Sequence, residues 1–268
     1  MADINSLKEA SKELALQVAK EVYGDAVKPS AKTVGLALED IASSIRLVTL
    51  PFRMIGYAPD LIFEKYKSFM IKVFNKVPKD KVRKPDMQIA GQVLEDVKYV
   101  FDVPELQEMY SNLLANNLNT ESFSLIHPSF SSIIRELTPF EAVLLKYLHA
   151  RKSLNLSSLI HNENRYSENV ENEKRLSLLM VLDIDEWVTP EEIAIAIQNL
   201  HRLSLIFVSE FSNEISVGDQ DTSLHNIILH NPNYLLENYK IGKETFEAQI
   251  SKIELTVLGK KFCCACIS

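Results

Sequence analysis

The chain has 268 residues, of which 46% are hydrophobic and 24% charged, a composition that argues against disorder and fits one large or two ordinary globular domains. Only 7 glycines and 10 prolines, with long periodic segments between them, point to a mainly α fold. The net charge of −7 is unevenly placed: residues 1–100 hold 16 Lys and Arg against 13 Asp and Glu, and the remainder holds 13 against 23, so an acidic second half disfavours phosphate-driven binding of nucleic acid there.

The first twenty residues interleave charges from the start and lack the apolar run of a secretory signal, so the expected site is the cytoplasm. Leu7, Leu14, Val18 and Val22 line one stripe of a helix over 4–23, which Gly24-Asp25 ends. Lys28-Pro29-Ser30 starts a second helix, with Val34, Leu38, Ile41, Ile45 and Val48 in helical rhythm. The weakly charged stretch 41–63 is broken by Arg46, Pro51, Arg53, Pro59 and Asp60. No membrane span is expected from it, and a buried hairpin is the reading preferred.

Over 61–77 the spacing predicts a helix with Ile62, Tyr66, Phe69, Met70, Val73 and Val77 on one apolar arc, widened by Phe63 and Phe74. Lys65, Lys72 and Lys76 flank that arc. Lysines beside aromatics suit either the edge of a packed helix or a membrane surface. The connector 77–85, bounded by Pro78 and Pro85, adds Lys79, Lys81, Arg83 and Lys84. It reads as a solvated loop, or as a patch for anionic lipid or an acidic partner.

From Asp86 onward, Ile89, Val93, Val97 and Val100, then Leu106, Met109, Leu113 and Leu114, recur at helical spacing. Asp102 before Val103-Pro104-Glu105 reads as a capping carboxylate ahead of a first-turn proline. The acids Glu95, Asp96, Glu105 and Glu108 fall on polar helix faces. His127 precedes Pro128-Ser129 as a turn residue leading into the next helix; no nucleophile elbow accompanies it. Thr138, Pro139 and Glu141 form a capping box before Phe140, Val143, Leu144, Tyr147 and Leu148.

Residues 161–175 are polar and read as a loop or frayed helix. Thr189-Pro190-Glu191-Glu192 opens a helix that turns Ile193, Ala196, Ile197 and Leu200 inward and Glu191, Ile195, Gln198, Asn199 and Arg202 outward. Strands are expected at Leu205–Val208 and Ile253–Leu255, and Thr256 caps a last helix. One arginine opposed by acids is a poor footprint for the major groove, so protein contact is favoured for the outward face. Cys263, Cys264 and Cys266 crowd one helical turn and cannot surround a metal alone, and nothing in the spacing of His201, His225 and His230 supports their completing a site; packing is the expected role.

The resulting fold class is mainly α: a helical, bundle-like domain over 1–135, then a small α+β winged-helix-like domain over 136–268 with insertions at about 151–187 and 209–252. No catalytic, cofactor or metal constellation is read, and an enzyme is not expected. Protein partners are expected, homo-oligomerisation and a peripheral contact with the inner membrane stay open, and nucleic acid is disfavoured.

The runs I-A-G-Q-V-L-E at 89–95, P-E-L-Q-E-M-Y-S-N-L-L-A at 104–115 and H-P-S-F-S-S-I-I-R-E-L-T-P-F-E-A at 127–142 resemble the Abi-alpha (abortive infection alpha) family of bacterial proteins. Pro29, Ala31 and Gly35 upstream, and Leu255-Thr256, Gly259 and Phe262 downstream, extend the likeness over most of the chain. Gly91, Pro104, Glu105, Leu113, His127, Pro128 and Pro139 are residues of these motifs, and their role there is structural. The resemblance implies a place in anti-phage defence through abortive infection, with no mechanism attached.

Overall fold

A computed structural model describes residues 13, 15–22, 35–37, 39–41, 59–161, 174–179, 190–216 and 246–267. The helix starts expected at Lys28 and Thr189, the stretch 42–58, the polar segment 162–173 and His225 and His230 lie outside the described residues. The chain divides into two compact units, Met1–Lys146 with Lys260–Ser268, and Tyr147–Gly259. Sequence order assigned the final residues to the second unit; they belong to the first.

The first unit is helical: α1 (Pro59–Asn75), α2 (Met87–Val97), α3 (Pro104–Leu118), α4 (Ser129–Arg135) and the start of α5 (Pro139–Arg151). α3 packs against α1, α2 and α4 and is buried along nearly its whole surface, including the polar Ser111, Asn112 and Asn117. Of the arc expected over 61–77, Tyr66, Phe69, Met70, Val73, Phe74 and Val77 are at most 3% exposed, and Ile62 and Phe63 are half-buried. Phe101 meets Tyr66 edge-on at 5.0 Å and Phe69 at 6.4 Å, a geometry aromatic pairs favour. Upstream, Val18 and Ile41 are buried as their stripes require.

The start of α3 differs from expectation. The residue before a proline is pushed to extended backbone, and Val103 (φ −117°, ψ 93°), not Asp102, is the N-cap, with no side-chain capping bond. α5 begins as predicted: the Thr138 amide donates to Glu141 Oε2 (2.7 Å), and the Glu141 amide donates to Thr138 Oγ1 (3.2 Å).

The second unit holds β1 (Ser153–His161), β2 (Lys174–Leu179), α6 (Pro190–Arg202), β3 (Ile206–Ser216) and β4 (Phe246–Leu255), and the last helix α7 (Val257–Cys266) starts in it. The strands form one antiparallel sheet in the order β2-β1-β4-β3. β1 and β2 occupy part of the segment 151–187 read as an insertion, and β3 and β4 run well into 209–252. Serine and asparagine alternate with leucine over Ser153–Ser157, the period of a half-buried strand, and the pairing with β2 and β4 carries β1 on to His161. Leu154, Ile206, Ile253 and Leu255 share the buried face, and α6 turns Ile193, Ala196, Ile197 and Leu200 inward as predicted.

α6 ends in a Schellman motif. The Ser204 amide donates to His201 O (2.8 Å) and the Leu205 amide to Leu200 O (3.0 Å), with Ser204 left-handed at φ 58°.

Candidate functional site

The lysines flanking α1 are consumed within their own unit. Lys65 Nζ donates to Asp102 at 2.6 and 2.9 Å, so Asp102 serves as an ion-pair partner instead of a cap. Lys72 pairs with Glu108 at 2.6 Å and donates to Gln107 at 3.1 Å. Lys76 bonds both Glu108 and Asn112 Oδ1. All of these acceptors lie on α3 or just before it, and the ridge is therefore a helix–helix seam.

Glu108 shows the balance of forces in that seam. Burial raises its pKa, but the hydrogen bonds and charges of Lys72 and Lys76 outweigh burial and hold it below the ordinary value. The expected solvation of the acids fails at a second position as well. Asp96 is buried, accepts from Ser131 Oγ at 3.0 Å and lies 3.5 Å from the Arg135 guanidinium. A buried carboxylate must be paired or hydrogen-bonded, and polar position on a helix wheel cannot reveal partners 35 and 39 residues away.

The basic connector is stitched down, not a free loop. Lys79–Lys81 form a 3-10 turn, and Val82 bridges to Asn119 as an isolated β-pair. The Arg83 amide donates to Leu118 O (2.8 Å) and the Thr120 amide to Lys81 O (2.9 Å). Lys81 pairs with Glu121, Lys84 lies 3.5 Å from Asp40, and the Arg83 guanidinium stacks over Phe123 at 3.4 Å. Lys79 is exposed.

The motif residues have local physical roles. Pro104 is the first residue of α3, Glu105 sits in its first turn, and Leu113 is fully buried. The His127 Nδ1 accepts from the Ser129 amide (3.2 Å) and lies 2.8 Å from Ser129 Oγ, so His127 serves the short turn into α4, with Pro128 at the N-cap. Pro139 opens α5. Gly91 faces open space where a Cβ would stand, so no steric demand within the described residues accounts for it.

Leu255-Thr256 and Gly259 form one device. Thr256 Oγ1 accepts from the Gly259 amide (2.9 Å) and donates to Ser204 O (2.6 Å), while the Thr256 amide donates to Leu205 O (3.0 Å). This locks α7 against the end of α6, and the contact is close enough that a Cβ at Gly259 would lie 2.0 Å from Leu205 O.

Two asparagines that the sequence reading passed over anchor the other end of α7. Asn112 Nδ2 donates to Cys266 O (2.9 Å) and Asn116 Nδ2 to Ala265 O (2.8 Å), satisfying carbonyls that a helix end leaves unpaired. The available signal was an amide inside the otherwise apolar run of α3. Phe262 closes edge-on against Phe130 at 5.3 Å. Cys263 and Cys266 are buried as expected, with burial pushing Cys263 up to about 12 and raising Cys266, whereas Cys264 is exposed.

On α6, Glu192, Gln198, His201 and Arg202 are exposed, and Ile195 stands 64% exposed among them. Arg202 donates to Asn199 Oδ1 at 2.7 and 3.2 Å, so its charge is tethered within its own helix. Among the described residues no group of His, Cys, Asp and Glu is placed to hold a metal, and no helix is long and apolar enough to cross a membrane.

A helical unit joined to an α+β unit with a four-stranded antiparallel sheet defines the class of protein. Residues 60–266 match the family described as Abortive infection alpha, so the chain belongs to that family and stands among proteins of bacterial anti-phage defence. No curated protein and no solved structure gives a significant match.

Proposed function

We propose that the protein is a non-enzymatic abortive-infection protein that works through protein–protein contacts, with the outward face of α6 as its docking surface. The observation that carries this reading is Ile195, a large aliphatic side chain 64% exposed in the middle of that face. A helix that reads DNA presents cations and base-edge donors; here the single arginine of the face is tied to Asn199. The second unit holds 9 Lys and Arg (29 in the chain less 20 elsewhere) against 17 Asp and Glu (36 less 19), a net −8 that repels a phosphate backbone.

Membrane perturbation by α1 is less well supported. Inserting it would take Tyr66, Phe69, Met70, Val73 and Phe74 out of the core, leave the apolar groups they cover, Phe101 among them, facing water, and break its ion pairs with Asp102 and Glu108.

The test is infection of cells with and without the gene, scored for progeny per infected cell and for host survival. Reduced progeny with death of the infected cell fits the proposal. A normal burst, or survivors that clear the phage, would sink it.

A further inference from the structure

Two of the cations that the first unit's internal pairing leaves over are on α7. Lys260 and Lys261 are exposed, and neither has a hydrogen-bond or ion-pair partner among the described residues. With Val257, 86% exposed, and the exposed Cys264, they fall at i, i+3, i+4 and i+7, one continuous stripe on the solvent side of the helix. An exposed valine beside two unpaired lysines is suited to an acidic protein surface that also offers an apolar side chain.

This chain carries such a surface. Its second unit has the net −8 given above, and the α6 face sets Ile195 beside Glu192, with Glu191 in the same first turn. We propose that the α7 stripe of one copy docks on the α6 face of a second copy, Lys260 and Lys261 toward the glutamates and Val257 toward Ile195. The contact joins two different patches and is heterologous, so it builds rings or open chains. It is also weak. A ten-residue helix is about 15 Å long and presents well under the ~800 Å² per partner of a standard interface. The inference rests on α6 being a protein-contact face.

Sedimentation velocity of the full chain over a concentration series tests it. Wild type is expected to associate with rising concentration, and about tenfold less at high salt. The double variant Lys260→Glu/Lys261→Glu and the double variant Glu191→Lys/Glu192→Lys each stay monomeric alone, and an equimolar mixture of the two associates again. Lys260, Lys261 and Glu192 are exposed, and the mixture restores association only if each variant is folded. A wild type that remains monomeric throughout, or variants that associate like it, would overturn the self-contact. Scoring the α6 variant for phage protection separates the two ideas: lost protection with a monomeric wild type overturns self-association alone, whereas retained protection overturns the α6 docking reading as well.

Discussion

Replacing Gly259 with alanine places a methyl carbon 2.0 Å from Leu205 O and 2.9 Å from its carbonyl carbon. Backbone cannot swing aside as a flexible side chain would, so reaching an ordinary contact of about 3.4 Å forces α7 and the α6–β3 corner apart by about 1.4 Å. The Thr256 bonds to Leu205 O at 3.0 Å and Ser204 O at 2.6 Å then stretch beyond hydrogen-bonding range. Two lost bonds at about 1 kcal/mol each, with the loosened packing of Leu205 and Leu255, come to ~3 kcal/mol. At roughly 2–4 °C per kcal/mol for a chain of this size, Tm falls by about 6–12 °C. Thermal unfolding followed by circular dichroism measures this. The opposite sign is expected at Gly91, where a Cβ meets nothing within 4 Å: alanine there adds helix propensity worth about 1 kcal/mol and raises Tm. A Gly259→Ala protein that melts within about 1 °C of wild type would refute the close-approach argument.

Three further expectations concern stability and accessibility. Ser204→Gly relieves a left-handed non-glycine residue while keeping both Schellman bonds, and stabilises by about 1 kcal/mol in denaturant titration. Glu108→Gln removes the shared partner of Lys72 and Lys76. Because the folded pKa of Glu108 is depressed, its contribution is present above the ordinary value of 4.5 and is lost as pH falls through the folded value. For a side chain 45% exposed the difference from wild type is about 1 kcal/mol near neutrality, and the two melting curves converge on acidification. Among the three thiols, Cys264 alone reacts rapidly with a disulfide reagent in the native protein, and Cys263 and Cys266 react only after unfolding.

Local rules made the helical half of this protein legible. The capping box at Thr138 and Glu141, the proline at the start of α3, the N-cap at Thr256 and the buried arc of α1 all follow from spacings of seven residues or fewer. What stayed hidden depends on partners far along the chain. Lys65 meets Asp102 across 37 residues, Asn112 meets Cys266 across 154, and Asp96 is neutralised from α4. A helix wheel displays a cation's position and conceals its counter-ion, so for the lysine ridge the sequence left both a packed edge and a membrane surface open. β1 and β2 fall in a segment that reads as an insertion, although Leu154 and Leu156 alternate with polar residues in β1; both strands border the polar stretch 162–173, which hides that short local period. Of the α6 face, Ile195, Gln198 and Arg202 are exposed as the sequence displayed them, and Asn199 is half-buried; the helix wheel does not show the tether between Arg202 and Asn199.

The measurement with most leverage is the efficiency of plaquing on bacteria expressing the wild type or Ile195→Asp, with thermal melts confirming that the variant is folded. A charge in the middle of the α6 face leaves the buried Ile193, Ala196, Ile197 and Leu200 untouched but desolvates badly in any protein contact there. Plaquing restored to the level of gene-free cells is the predicted result. Full protection by a folded Ile195→Asp protein would contradict the assignment of α6 as the surface through which this family member acts.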